Sequence, residues 1–346
     1  MSNTLGTHSA ESREHLPRNP IGVAPLMSVV IPNWNGMRHL PECMSALARQ
    51  TLRDFEVIVV DNSSTDESIR WLAENHPEAR TVLRAENGGF SAAVNDGIRA
   101  SKSEYVYLLN NDTAADPECL LSALSALEQA HCDFAASCMV FYDDPNTVNT
   151  AGDVYDMKDL VGVQRGRLLP KSAFKTPARV LGASGGAALY RRSLFDDVGL
   201  FDEDFFLLFE DVDINLRCLV SGKKCVYAPD SVVLHKESAS IERHPNSHMA
   251  YLQLRNQYIV IAKDLPARLL LWIALRWGWR AFRDVVPLRP SRWPEIPKLY
   301  ADFASRRRTQ LEGVRMGWRK RKDVWRRRRA PISEIIRWIF EGVEQL

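Results

Sequence analysis

Three acidic stretches lie far apart in the chain, and each adjoins an apolar run: Asn110-Asn111-Asp112 after Tyr105 to Leu109, Asp61-Asn62 after Phe55 to Val60, and Glu210-Asp211 after Phe205 to Phe209. A carboxylate within reach of a hydroxyl can act as a general base, and carboxylate oxygens suit a hard divalent cation. His235 stands at the end of the short run Val232 to His235. Short apolar runs are buried strands, and open α/β sheets bind ligands outside the carboxyl ends of their strands. Asn and Asp at these positions also make turns, acidic residues in a first helical turn suit the helix dipole, and a lone histidine often only caps. Convergence of several strand ends on one edge is what separates a site from a set of turns.

The elements that would bring them together follow in order. Met27 to Pro32 reads as a strand broken by Asn33-Trp34-Asn35-Gly36, and apolar spacing from Leu40 through Cys43, Met44 and Leu47 predicts a helix. Phe55 to Val60 is a second strand, and the capping-box pattern Ser64-x-x-Glu67 predicts a helix from there toward Asn75. Thr81 to Arg84 is a weak third strand, Asn87 lies in the Glu86-Asn87-Gly88-Gly89 turn, and Phe90 to Ala100 is helical. Four strands alternating with helices over about 90 residues predict an α/β fold with a mostly parallel sheet and right-handed crossovers.

Beyond it, Pro117 to Ala130 reads as a helix and Phe134 to Phe141 as a strand, and 143–177 is expected to form loops or a small subsheet over the site. The small residues of Gly182 to Tyr190, Gly185 among them, allow close backbone approach. The helix after Glu210 should bury Val212, Leu216, Leu219 and Val220 and end at Gly222 as its C′ residue.

The 346 residues are 45% hydrophobic, enough for a large core, and the six cysteines form no C-x-x-C pair, as expected of buried thiols in a cytosolic protein. The polar stretch 1–25 has no apolar signal and is read as a mobile lead-in, 26–264 as the catalytic body, and 265–346 as a basic helical region. Residues 1–264 carry 25 Lys and Arg against 35 Asp and Glu, a net of −10, whereas 265–346 carry 20 against 8, a net of +12. Pro266 to Phe282 mixes Leu and Trp with Arg268, Arg276 and Arg280, too interrupted to span a bilayer but suited to its surface. Arg306 to Arg308 and Lys320 to Arg329 would add attraction to anionic lipid; the alternatives are packing on the body or pairing of subunits, and no nucleic-acid reader motif is present. No G-x-G-x-x-G follows the first strand and no P-loop pattern occurs.

The stretches SVVIPNWNG (28–36), VIVVDNSSTDES (57–68), ENGGFSAAVNDGI (86–98), LLNNDT (108–113) and FEDVDINLR (209–217) together resemble glycosyltransferase family 2, inverting enzymes of the GT-A fold, and within it the bacterial rhamnosyltransferase-like branch. The resemblance covers roughly 27–240. It implies a nucleotide-sugar pocket that includes Pro32, Asn35, Asp61, Asn87, Asn95, Asn111 and Asp112, with Asp61 on the base. It implies Mg²⁺ or Mn²⁺ on Asp112 and His235, Asp211 as catalytic base, and Gly185 and Glu210 on the acceptor side. Asn110 stands where the family has the first Asp of D-x-D, so the metal would lean on the diphosphate.

The expected reaction moves a sugar, rhamnose from dTDP-rhamnose or alternatively a UDP-hexose or UDP-galactofuranose unit, to a glycan or lipid-linked acceptor in cell-surface polysaccharide synthesis. The expected location is the cytoplasmic side of the membrane, bound peripherally, with homo-oligomerisation through the C-terminal helices an open alternative. A nucleotide-sugar-binding scaffold without turnover is the reading from another class.

Overall fold

In a computed structural model, which describes residues 15–17, 23–237, 246–285 and 296–346, the early apolar runs form a parallel sheet. β1 (Met27–Asn33), β2 (Phe55–Asp61), β3 (Arg80–Leu83) and β4 (Tyr105–Leu109) alternate with α1 (Leu40–Ala48), α2 (Ser68–Asn75) and α3 (Gly89–Ala100). β1 pairs in parallel with β2 and β4, and β2 with β3. β1, β2 and β4 are covered on both faces, so their sequences read as near-continuous apolar runs without alternation. α2 begins at Ser68, later than the capping-box pattern predicts. The Ser64 hydroxyl instead accepts from the Asn35 N–H (2.8 Å), and Asp66 Oδ1 accepts from the Ser68 N–H (3.1 Å).

The chain continues with β5 (Thr113–Ala115), α4 (Cys119–Gln129), β6 (Phe134–Phe141), β7 (Asp144–Thr150), β8 (Asp153–Asp156), β9 (Val161–Gln164), β10 (Ala178–Val180) and β11 (Ala187–Arg191). It then forms α5 (Leu194–Val198), α6 (Glu210–Val220), β12 (Cys225–His235), α7 (Asn246–Asp264), α8 (Ala267–Val285), α9 (Ile296–Arg326), α10 (Ile332–Glu341) and β13 (Val343–Gln345). β11 enters antiparallel between β4 and β6, β12 runs parallel to β6, and the mixed sheet has the order β13-β10-β12-β6-β11-β4-β1-β2-β3. The irregular stretch 143–177 contains β7 and the antiparallel hairpin β8–β9.

Alternate residues of each strand feed opposite cores. Val29, Ile31, Val57, Val59 and Tyr107 pack with α1 and α4, while Val30, Ile58, Val60, Val106 and Leu108 pack with α3 and α5. A third core joins α6, α7, α9 and α10 through Leu216, Ile259, Val324 and Trp338. β13 pairs with β10, so 343–345 join the main sheet.

Basic residues of α7 and of the C-terminal region pair with acceptors of the body. Buried Lys263 of α7 pairs with Asp202 (2.6 Å) and Asp213 (2.5 Å), and Lys320 of α9 with Asp202 (2.5 Å). Arg321 Nη1 donates to the Leu265 carbonyl at 2.7 Å, and Arg329 pairs with Asp197 at 3.0 Å. All six cysteines are buried and free.

Candidate active site

The ends of β1, β2 and β4 open on a cavity of about 240 Å³. Its wall is built from amides that bond to one another across loops. Asn33 Oδ1 accepts from Asn111 Nδ2 (2.8 Å), joining the ends of β1 and β4. Asn62 Nδ2 donates to Asn87 Oδ1 (2.8 Å) and to the Gly89 carbonyl (2.9 Å), while its Oδ1 accepts from the Gly88 N–H (3.1 Å), joining β2 to the start of α3. Pro32, Asn62, Asn87, Asn111 and Asp112 line the cavity.

Three of the residues expected there do not line it. Asn35, held in the left-handed region (φ 51), turns its Oδ1 to the Thr65 N–H at 2.7 Å and so fastens one loop to the next. Asp61 is buried behind Asn33, accepting from the Ser64 N–H at 3.1 Å and lying 3.4 Å from Asn33 Nδ2. Asn95 donates to the Phe201 carbonyl (2.9 Å) and Glu203 (2.8 Å) and accepts from the Phe201 N–H (3.0 Å), so its amide is taken up within the fold. Amides and carboxylates at strand ends and on helices serve either use, and only side-chain direction decides between them.

Asp112 and His235 meet because β5 pairs antiparallel with the end of β12, setting Thr113 opposite His235. His235 Nε2 lies 3.5 Å from Asp112 Oδ1, and its Nδ1 lies 3.4 Å from Asn149 Oδ1, which orients the ring. Burial alone would raise the Asp112 carboxyl, but the His235 hydrogen bond and the nearby His235 and His39 rings hold it below the usual range. The pair offers one oxygen and one nitrogen ligand to a divalent ion. Among the described residues no group of three or more His, Cys, Asp or Glu is arranged to hold a metal, so such an ion would need ligands beyond this pair.

Glu210 and Asp211 stand at the N-terminus of α6, reached through a turn in which Phe206, Leu208 and Phe209 all have positive φ (64, 71 and 70). Bulky residues adopt that region only when their surroundings over-determine it. Here Asn256 of α7, fully buried, donates from Nδ2 to the carbonyls of Phe205 (2.9 Å), Leu207 (2.9 Å) and Leu208 (2.8 Å). From the other side the Phe90 N–H donates to the Phe206 carbonyl (2.7 Å). The approach requires glycine at 89, where φ is +82 and a Cβ would lie 2.2 Å from the Phe206 oxygen. Asn256 and this turn were invisible to pattern reading, since neither creates a periodicity.

Burial, reinforced by the charge of Asp211, pushes the Glu210 carboxyl up to about 8, and one of its oxygens is buried without a hydrogen-bond partner among the described residues. Burial also raises Asp211, while the N–H groups of Val212 (2.8 Å) and Gly185 pull it back toward the ionised form. Asp112 with His235 and Glu210 with Asp211 therefore border a single cavity. A carboxylate base beside a metal-competent pair suits displacement of a phosphate-type leaving group by a hydroxyl.

Residues 28–199 match the family described as Glycosyl transferase family 2. The chain is 27% identical over 292 residues to the N-acetylglucosaminyl-diphospho-decaprenol L-rhamnosyltransferase of Mycobacterium tuberculosis (strain ATCC 25618 / H37Rv), covering 77% of this chain and 94% of that protein. Among solved structures it is similar to GalNAc-T7 with UDP, GalNAc and Mn²⁺ (TM-score 0.54, 16% identity, 69% of this chain and 48% of that one). It is also similar to S. aureus TarS in complex with UDP-GlcNAc (TM-score 0.51, 19% identity, 87% of this chain and 90% of that one). The two structural likenesses show a GT-A-type fold.

Proposed function

We propose, for a chain that belongs to glycosyl transferase family 2 and is a nucleotide-sugar glycosyltransferase, that it transfers rhamnose from dTDP-rhamnose with inversion to a lipid-linked saccharide in cell-surface polysaccharide synthesis. The observation that carries the site assignment is the convergence of Asp112–His235 and Glu210–Asp211 on one cavity. The choice of rhamnose is supported by the mycobacterial relative, which matches along 94% of its length and is a rhamnosyltransferase by name.

In this reading the diphosphate lies against Asp112 and His235, and the sugar carbon faces Asp211. The acceptor hydroxyl attacks that carbon from the side opposite the diphosphate and gives its proton to the Asp211 carboxylate. The bond to the diphosphate breaks, and its electron pair leaves with the nucleoside diphosphate. Mg²⁺ or Mn²⁺ on Asp112 and His235, when bound, would neutralise charge on the leaving group. Glu210, protonated at neutral pH by its raised carboxyl, adds no second negative charge beside the base.

Incubation with dTDP-rhamnose, UDP-glucose, UDP-N-acetylglucosamine and UDP-galactofuranose tests the reading. Selective consumption of dTDP-rhamnose is expected; consumption of a UDP-sugar alone would replace the donor, and none would favour a binding scaffold. Asp211→Asn should lower turnover by at least a hundredfold with nucleotide affinity kept, because a base acts in the transition state. Near-normal turnover in that variant would remove Asp211 from the mechanism.

We also place the protein against an anionic membrane at its cytoplasmic face. α8 exposes Leu271, Trp272 and Leu275 together, with the Arg276 guanidinium over the Trp272 ring at 5.2 Å. Apolar and aromatic groups flanked by arginine suit the interfacial zone. No described helix is long and apolar enough to cross a membrane.

A further inference from the structure

A second groove of about 380 Å³ adjoins the first, and Asp211, Gln164 and Leu208 border both. Its walls come from three elements: Asp153 and Val163 of the β8–β9 hairpin, Val212 at the start of α6, and Met249 and Gln253 of α7. We propose that this groove is the acceptor subsite and receives one sugar ring, with its C–H face on Val163, Val212 and Met249 and its hydroxyls toward Asp153 and Gln253. The inference rests on the transferase reading and adds the residues that recognise the acceptor.

Two observations favour a neutral sugar over an anionic occupant. Among the described residues none that lines the groove is Lys or Arg, and the Asp211 carboxylate stands in it, so a diphosphate would meet repulsion with no described cation to offset it. The remaining wall mixes aliphatic side chains with amides, the combination that matches a pyranose ring, apolar on its faces and polar at its rim. Position decides the rest. Inverting attack needs the base in contact with the acceptor hydroxyl on the side away from the diphosphate, and Asp211 is the acid that borders both the donor cavity and this groove.

The groove is held open by the fold itself. The hairpin root is pinned by reciprocal backbone bonds between Asp153 and Gly182 (2.8 and 3.2 Å). Its tip is tied to α7 by Gln257, whose Nε2 donates to the Asp159 carbonyl at 2.7 Å. Gly162 presses on Val212, where a Cβ would lie 2.4 Å from a methyl carbon. Asp153, buried and accepting from the Thr150 hydroxyl at 3.2 Å, has its carboxyl raised well above the usual carboxylate range by burial and by the charge of Asp211. It borders the groove beside Asp211, placed to hold the ring through a sugar hydroxyl while Asp211 takes the proton of the attacking hydroxyl.

The test titrates octyl N-acetyl-β-D-glucosaminide into the full-length chain saturated with dTDP or UDP, followed by saturation-transfer NMR and calorimetry. Saturable binding is expected, weakened at least tenfold by Gln253→Trp, which sits at an exposed rim and fills the groove, and several-fold by Asp153→Ala. A nucleotide affinity within twofold of wild type checks the fold of each variant. Nucleotide-loaded wild type that binds no glycoside, or a glycoside affinity unmoved by Gln253→Trp, overturns the groove assignment alone. Wild type that binds no nucleoside diphosphate overturns the transferase reading beneath it.

Discussion

Glu210→Gln replaces a buried carboxyl by a neutral isostere, and its effect on stability should depend on pH in a defined direction. The folded chain holds the Glu210 proton up to about 8, against 4.5 for an ordinary glutamate, because burial and then the Asp211 charge oppose ionisation. Below 4.5 both folded and unfolded chains are protonated and the residue contributes no pH dependence. Between 4.5 and 8 the unfolded chain releases the proton while the folded chain keeps it, so stability falls as pH rises. At about 1.36 kcal/mol per pH unit the full span is on the order of 5 kcal/mol, reached above about pH 8. The glutamine variant lacks this slope, so its advantage over wild type should grow from nearly nothing at pH 4.5 to several kcal/mol at pH 8. Urea unfolding of both proteins at several pH values between 4.5 and 8.5 measures it. Parallel stability curves would show that Glu210 is ionised throughout, and the assignment of a single negative charge to the α6 terminus would fail.

Three other outcomes are expected. Asp112→Ala should weaken nucleotide-sugar binding at least tenfold in calorimetry with Mn²⁺ and little without it; an equal loss in both conditions would deny the metal role. Gly89→Ala forces a side chain into a left-handed position against the Phe206 oxygen, and should lower stability by about 1–3 kcal/mol in thermal unfolding and depress turnover through the displaced turn. Unchanged melting would mean that the contact yields freely. The chain should co-sediment with anionic vesicles at low salt and be released at high salt, as exposed charge is screened; no binding at low salt would sink the surface proposal.

The strands up to Leu109, their helices and the edge on which they end follow from apolar runs, since a strand buried on both faces leaves a continuous signature in its own residues. The helix start at Ser68 did not follow from the Ser64-x-x-Glu67 pattern, because the Ser64 hydroxyl bonds to a loop 29 residues upstream. Fold class and the acidic cluster that opens α6 were thus legible as local patterns. Side-chain direction was not. Asn62 and Asn87 line the cavity, while Asn35, Asp61 and Asn95 carry the same chemistry in similar settings and bond to neighbouring loops and helices instead.

Local composition by itself determined that polar groups would gather at one edge of an α/β sheet, because burial of apolar runs and the termination of strands are decided within a few residues of chain. Tertiary structure decided which of those groups meet. The pairing of β5 with β12 brings His235 to Asp112, and Asn256 holds the strained turn before Asp211. Both are contacts between residues tens to more than a hundred positions apart, and contacts of that range leave no trace in the periodicity of either segment.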